Sequence, residues 1–252
     1  MRLNGPPSAP PVVLLPGIGS TSLTFARNVA GLSARCATYA LDNIHDHGLS
    51  VETKPVTSAD DYAKWLDEVV SGLGLGDAVN LVGLSYGGWV AAQYALRFSK
   101  RTRRLVLLAP AGTVAPLPWA FIWRAVLCAL PAKVFMRSFV EWVAPELGRD
   151  EAGRALRETM VEDGVLAQRS FKGRRMVPPL PLSDSDWSSL QVPTLLMAGD
   201  AEVIFSAQPS LARVAALCPS VTTRLLTGAG HDFFVTRASE VNQAILDFVS
   251  RD

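Results

Sequence analysis

The sequence predicts an α/β protein, a mostly parallel sheet flanked by helices, and three observations predict it. Short apolar runs of strand length alternate with longer segments of helical periodicity. The residues with chemical potential fall just past the C-terminal end of those runs, the edge at which open α/β sheets bind ligands. The alternation breaks once, between Gly112 and Asp186, where the pattern is helical only.

The first strand is Val12–Leu15, a β-branched and leucine run closed by the turn Pro16-Gly-Ile-Gly19. A helix follows, capped by Ser20 or Thr21. Thr38–Leu41 is the second strand. Ala78–Val82 is the third, apolar and bounded by Gly76-Asp77 and Gly83. Trp89 to Phe98 reads as a helix, with Val90, Ala91, Tyr94, Ala95 and Phe98 along one face. Arg104–Leu108 is the fourth strand. Trp119–Leu130, Ala132–Ala144 and Arg149–Val161 then read as three helices with no strand between them. They form an insertion over 113–186, expected to lie as a lid on a core made of 1–112 and 187–252. Thr194–Ala198 and Thr222–Leu226 complete the strands. The last helix carries Val241, Ile245, Phe248 and Val249 as its apolar stripe.

The most informative segment is Leu81-Val-Gly-Leu-Ser-Tyr-Gly-Gly88. A strand that becomes a helix over one residue strains that residue and lifts its side chain clear of the sheet. Gly83 and Gly87, two residues to either side, bring no Cβ into the crowded turn. Ser85 is therefore the candidate nucleophile. A hydroxyl needs a base, and the base needs an orienting partner. Of the three histidines, His45, His47 and His231, only His231 lies in a glycine-rich loop directly after a strand, Thr227-Gly-Ala-Gly-His-Asp232. The acid is expected between serine and histidine, where Asp200 and Glu202 both follow the Thr194–Ala198 strand. Asp200 suits the bonding of turn amides, and Glu202 has the longer reach. Residue chemistry favours Glu202 and leaves Asp200 open. For the developing oxyanion, the amide of Tyr86 at the start of a helix is one candidate donor, and that of Ile18 after the first strand is the other.

Composition bounds the function. The chain has 252 residues, 49% of them hydrophobic, enough for one domain with one core, and its net charge of +1 gives no electrostatic case for nucleic acid. Cys36, Cys128 and Cys218 are widely spaced and odd in number, so a reduced cytoplasmic setting is expected. The first residues hold no apolar leader, and Leu117–Leu130 is too short and too interrupted for membrane insertion. His45-Asp46-His47 reads as a loop edging the pocket rather than a metal site, and Lys172-Gly-Arg-Arg175 as a solvated loop. Trp119, Phe121, Trp123, Phe135, Phe139 and Trp142 crowd the insertion. Most are expected to form its core, with two or three facing a substrate pocket. The pocket candidates are Trp119, Phe121, Trp123 and Trp142.

Five segments, in this order, resemble the α/β-hydrolase superfamily: Leu14-Leu-Pro-Gly-Ile-Gly19, Gly83-Leu-Ser-Tyr-Gly87, Leu105-Val-Leu-Leu-Ala-Pro110, Gly199-Asp-Ala-Glu202 and Gly228-Ala-Gly-His231. Within it the chain is most similar to bacterial carboxylesterases of the naproxen-esterase type, through Asp42–Ser50, Asp61-Tyr-Ala-Lys-Trp-Leu66 and Glu202-Val-Ile204. The resemblance implies an α/β-hydrolase fold with a helical lid. It also implies a Ser85, Glu202, His231 triad, since that subgroup carries its acid three residues after the turn glycine. The implied reaction is hydrolysis of a small-molecule carboxylic ester through an acyl-enzyme, without cofactor or metal. Thioester, lactone and carbon–carbon substrates share this machinery, and a low-turnover ligand-binding protein on the same fold is the reading from another class. Two departures stand out. Pro16 occupies the place where the family usually has a histidine before the oxyanion-loop glycine, and the segment before Val12 has little room for edge strands, which are expected to be reduced or absent.

Overall fold

The computed structural model describes residues 2–130, 132–171 and 176–250. The Lys172–Arg175 run lies outside the described residues. Seven strands form one sheet in the order β1-β3-β2-β4-β5-β6-β7. They are β1 Arg2–Asn4, β2 Pro11–Leu15, β3 Ala37–Ala40, β4 Val79–Leu84, β5 Thr102–Leu108, β6 Thr194–Gly199 and β7 Val221–Leu226. All neighbouring pairs are parallel except β1 with β3, which run antiparallel with Leu3 opposite Tyr39. Among the described residues one three-residue strand, β1, lies at the edge before β2.

The central strands are apolar because helices cover both faces. Val12 to Leu15 and Leu105 to Leu108 are fully buried, as is every residue of β4 and β6. Among these is Asn80, whose amide donates to the Pro11 carbonyl at 3.0 Å. The edge strand β7 is half exposed between its buried ends. Around the sheet run α1 Ala26–Ser33, α2 Ala59–Gly72, α3 Tyr86–Arg97, α8 Ala207–Leu217, the one-turn α9 Phe233–Thr236 and α10 Ala238–Val249. Thr21, not Ser20, caps the short 3₁₀ turn before α1. Ser58 caps α2, with Asp60 and Asp61 in its first turn meeting the positive end of the helix dipole.

Between β5 and β6 come α4 Trp119–Cys128, α5 Lys133–Val143 and α6 Glu151–Ser170, then the short α7 Asp184–Ser189. α6 runs nine residues beyond the expected end at Val161. It passes through Gly164, whose missing Cβ leaves room for Met136 of α5.

The chain switches direction across the sheet between β2 and β4. From β2 it steps outward to β3, then returns to place β4 on the other side of β2. Leu15 lies opposite Gly83, so Gly17 and Ser85 each follow by two residues from paired positions at the switch point.

Candidate active site

β4 ends at Leu84 and α3 begins at Tyr86, so Ser85 is the whole turn. Its backbone lies at φ 51°, ψ −119°, a conformation that costs a residue with a Cβ on the order of 1–3 kcal/mol. The neighbourhood holds it there. Its N–H donates to the Leu108 carbonyl at 2.9 Å, and its carbonyl accepts from Gly88 at 2.9 Å and Ala111 at 3.1 Å. Ala109, just past β5, is also left-handed at φ 43°. A Cβ on Gly83 would strike the Gly87 carbonyl, and one on Gly87 the carbonyl oxygens of Leu15 and Pro16. Backbone on one side and helix on the other leave nothing flexible to yield. Gly87→Ala is expected to lower stability by about 1–3 kcal/mol through overpacking and to push the Pro16–Gly17 segment away from Ser85. Thermal melting and the rate of serine labelling by a fluorophosphonate measure the two effects separately.

His231 stands in the loop after β7, buried, with Nδ1 2.9 Å from Glu202 Oε2. The Glu202 carboxylate is fixed from its other oxygen, where Oε1 accepts the N–H groups of Val203 at 2.8 Å and Ile204 at 2.9 Å. Its side chain is fully buried. Burial works to lower the imidazole's pKa, but the neighbouring Glu202 carboxylate outweighs it and the net shift is upward. Asp200, the competing acid, is exposed and accepts the Gly228 N–H at 2.7 Å, bracing the start of the histidine loop without touching the ring. A Cβ on Gly199 would collide with the Ala229 carbonyl, so β6 and the histidine loop approach each other across a bare backbone.

Above Ser85 passes the loop after β2. A Cβ built on Gly17 would lie 3.7 Å from Ser85 Oγ. Among the described residues no backbone carbonyl is found to accept the N–H of Ile18 or of Tyr86. Sequence reasoning left open what supports this loop without a histidine at position 16. The segment after β3 does it. Asn43 Nδ2 donates to the Pro16 carbonyl at 3.2 Å, and Asp46 Oδ2 accepts the Gly19 N–H at 2.5 Å. Ser20 Oγ donates to the Gly17 carbonyl at 2.9 Å, and Asp42 takes the Ser22 N–H at 2.7 Å. Asp42, Asn43 and Asp46 lie in the Asp42–Ser50 stretch already singled out by resemblance, which was the available signal.

The two remaining histidines are engaged separately. His45 Nδ1 lies 3.0 Å from the Tyr62 hydroxyl and its Nε2 3.5 Å from Glu52, while His47 Nδ1 lies 3.0 Å from Asp46. Burial pushes the Tyr62 phenol up to about 12. Among the described residues no group of three or more His, Cys, Asp or Glu is placed to hold a metal ion, and no helix is long and apolar enough to cross a membrane.

Near its C-terminal end the insertion is fastened to α3. The Tyr86 hydroxyl donates to the Val177 carbonyl at 2.8 Å and the Trp89 indole to that of Leu180 at 3.1 Å. Its aromatics serve mainly its own packing. Phe121, Phe139 and Trp142 meet one another at 5.7–6.5 Å between ring centroids, and the Arg124 guanidinium lies over the rings of Trp123 and Trp142. Trp119 is 75% exposed and Trp123 38%. Phe121 and Trp142 are therefore tied into the helical layer, while Trp119 and Trp123 keep free faces.

Known proteins match this arrangement. The model of the alpha/beta hydrolase family matches residues 12–244. Carboxylesterase YbfK of Bacillus subtilis is 30% identical over 98% of this chain and 82% of its own length. Its crystal structure superposes with a TM-score of 0.88 at 29% identity, covering 98% of this chain and 86% of that one. The naproxen esterase (carboxylesterase NP) of the same organism does so with a TM-score of 0.88 at 28% identity and the same coverage. A match over nearly the whole sequence, on a mostly parallel sheet whose β4–α3 turn holds Ser85 at positive φ, establishes that the chain belongs to the alpha/beta hydrolase family.

Proposed function

We propose that the chain is a serine hydrolase of carboxylic esters that works through an acyl-enzyme. The observation that carries the reading is the left-handed Ser85 in a turn built for it, together with a buried His231–Glu202 pair 2.9 Å apart in the loops after β7 and β6. The relatives named as carboxylesterases support the ester substrate class. In this reading Ser85 Oγ attacks the ester carbonyl carbon and His231 Nε2 takes its proton. Nδ1 is committed to Glu202, which fixes the tautomer and stabilises the imidazolium. The N–H groups of Ile18 and Tyr86 receive the oxyanion, the latter aided by the positive end of α3. Collapse of the tetrahedral intermediate expels the alcohol, which takes the proton from His231. Water then attacks the acyl-enzyme by the same route and releases the acid. The step needs no cofactor. The unpaired Cys36, Cys128 and Cys218 suit a reducing cytoplasmic setting.

The helical insertion over 113–186 acts as a lid on the strand ends, with the free faces of Trp119 and Trp123 meeting an apolar acyl group and Phe121 and Trp142 backing them. Purified protein is expected to hydrolyse p-nitrophenyl butyrate, and a panel of p-nitrophenyl esters tests the lid. Burying a methylene contributes about 0.8 kcal/mol, so kcat/KM should rise roughly threefold to fourfold per acyl carbon from acetate to a medium-chain optimum. Trp123→Ala should move the optimum to longer chains. A flat profile, or a variant that changes only stability, would assign selectivity to other walls. An inert wild-type protein that binds apolar esters intact would favour a binding protein on this fold.

A further inference from the structure

The insertion meets the catalytic loop at a second junction, separate from the bonds of Tyr86 and Trp89, and two buried carboxylates cross there in opposite directions. Glu146, in the short 3₁₀ turn Glu146–Gly148 after α5, accepts the Gly230 N–H at 3.2 Å through Oε1 and the Thr236 hydroxyl at 2.9 Å through Oε2. Asp232, on the core side, accepts the Leu147 N–H at 2.9 Å through Oδ2. Gly230 and Asp232 are the residues immediately before and after His231. The approach is close as well as bonded, since a Cβ on Gly230 would lie 3.3 Å from Pro145 Cγ of the insertion and 3.1 Å from Asp232 Oδ1.

None of this is needed to hold the sheet together, and it is a demanding arrangement. Arg149 at 3.7 Å and Arg237 at 3.8 Å balance the Glu146 charge. Asp232 Oδ1 is buried without a hydrogen-bond partner among the described residues. Burial, with Glu146 nearby, holds the Asp232 carboxyl above its ordinary range despite the Leu147 N–H. Buried polar networks rigidify the segments they join and specify their geometry.

We propose that Glu146 and Asp232 are positioning residues that clamp the loop on both sides of His231 to the helical insertion, so that the catalytic base is in register only when the insertion is seated. The proposal rests on the reading of His231 as the base. Neither carboxylate touches Ser85 or the His231–Glu202 hydrogen bond in the structure, so each acts through the loop. A displacement of about 1 Å at a general base lowers turnover by up to roughly 10²-fold.

The test has one arm that reads activity and one that does not. Glu146→Ala and Asp232→Ala are expected to lower kcat by about 10- to 100-fold with KM within about threefold, as expected for a group that orients rather than binds. The losses should not multiply in the double variant, because either change opens one clamp. Asp232→Asn retains an oxygen for the Leu147 N–H, and Glu146→Gln retains one for the Gly230 N–H while its NH2 faces the Thr236 hydroxyl, which can accept, so both should recover most of the turnover. Asp232→Asn should also move the acid limb of kcat/KM to lower pH, because the Asp232 charge helps raise the His231 pKa. Independently of any substrate, hydrogen exchange in peptides covering 144–150 and 226–233 should be slow in the wild type and accelerate together in either alanine variant, whichever side of the junction is mutated. Wild-type protein without esterase activity would refute the functional reading while the exchange arm still reported on the clamp. Alanine variants that lose melting temperature but keep kcat per folded molecule, or that accelerate exchange only on their own side, would overturn the proposal. So would multiplicative losses in the double variant.

Discussion

Ser85→Ala should abolish ester hydrolysis, lowering kcat by at least about 10⁴-fold, and should end covalent labelling by a fluorophosphonate, while the protein keeps or gains stability. Removing a member of a catalytic set that acts as a unit costs nearly the whole effect of the set. The fold should tolerate the change because the Ser85 backbone, not its hydroxyl, makes the structural bonds: N–H to Leu108, carbonyl to Gly88 and Ala111. Alanine is as small as serine and is already accommodated at a left-handed position nearby, at Ala109. The comparison to make is Ser85→Ala against Gly87→Ala. The first should separate activity from stability completely, and the second should lower both. Undiminished labelling of the Ser85 variant would place the nucleophile on another residue.

The parts of this site legible in the sequence were those in which local chemistry and local geometry coincide. The Gly83–Gly87 frame announces itself because two backbone collisions, with α3 on one side and the β2 loop on the other, forbid a Cβ at both positions. The buried strands read clearly because both of their faces meet helices, and four of the six expected strands lie within the observed limits at both ends. The other two miss by one residue: β3 is Ala37–Ala40 where Thr38–Leu41 was expected, and β4 begins at Val79 rather than Ala78. The first turn of α3 was obscured for a physical reason. Gly87 and Gly88 are poor helix formers, so the periodic stripe begins at Trp89 although the helix begins at Tyr86. β1 gave no signal at all, since three residues with one large apolar side chain carry no pattern.

What the sequence could not convey was contact between segments far apart along the chain. The support of the loop after β2 by Asn43 and Asp46 spans 27 residues, and the bond between Glu146 and Gly230 spans 84. No periodicity or motif marks such pairs. The aromatics of the insertion show the converse limit. Composition alone identified a helical layer in need of a core, but only packing distinguishes Phe121 and Trp142, bound into that core, from the exposed Trp119.

The choice between Asp200 and Glu202 yields the second large effect. Glu202→Gln should lower kcat by about 10³- to 10⁴-fold, because an amide of the same shape no longer carries the charge that stabilises imidazolium and orients its tautomer. It also predicts a signature in pH. Activity requires neutral His231 and falls as pH drops through its pKa, which Glu202 holds above the ordinary imidazole value against the opposing effect of burial. With the charge gone burial acts unopposed by its main counterweight, so the acid limb of kcat/KM should move to lower pH even as the plateau collapses. Asp200→Asn retains the oxygen that accepts the Gly228 N–H and lies outside the His231 pair. It should change turnover by less than about fivefold, the factor associated with roughly one kcal/mol, and leave the acid limb in place. Measuring both pH profiles at matched stability discriminates the two acids. An Asp200 variant that loses the greater turnover and shifts the limb would transfer the orienting role to Asp200, and the 2.9 Å contact between Glu202 and His231 would then be structural only.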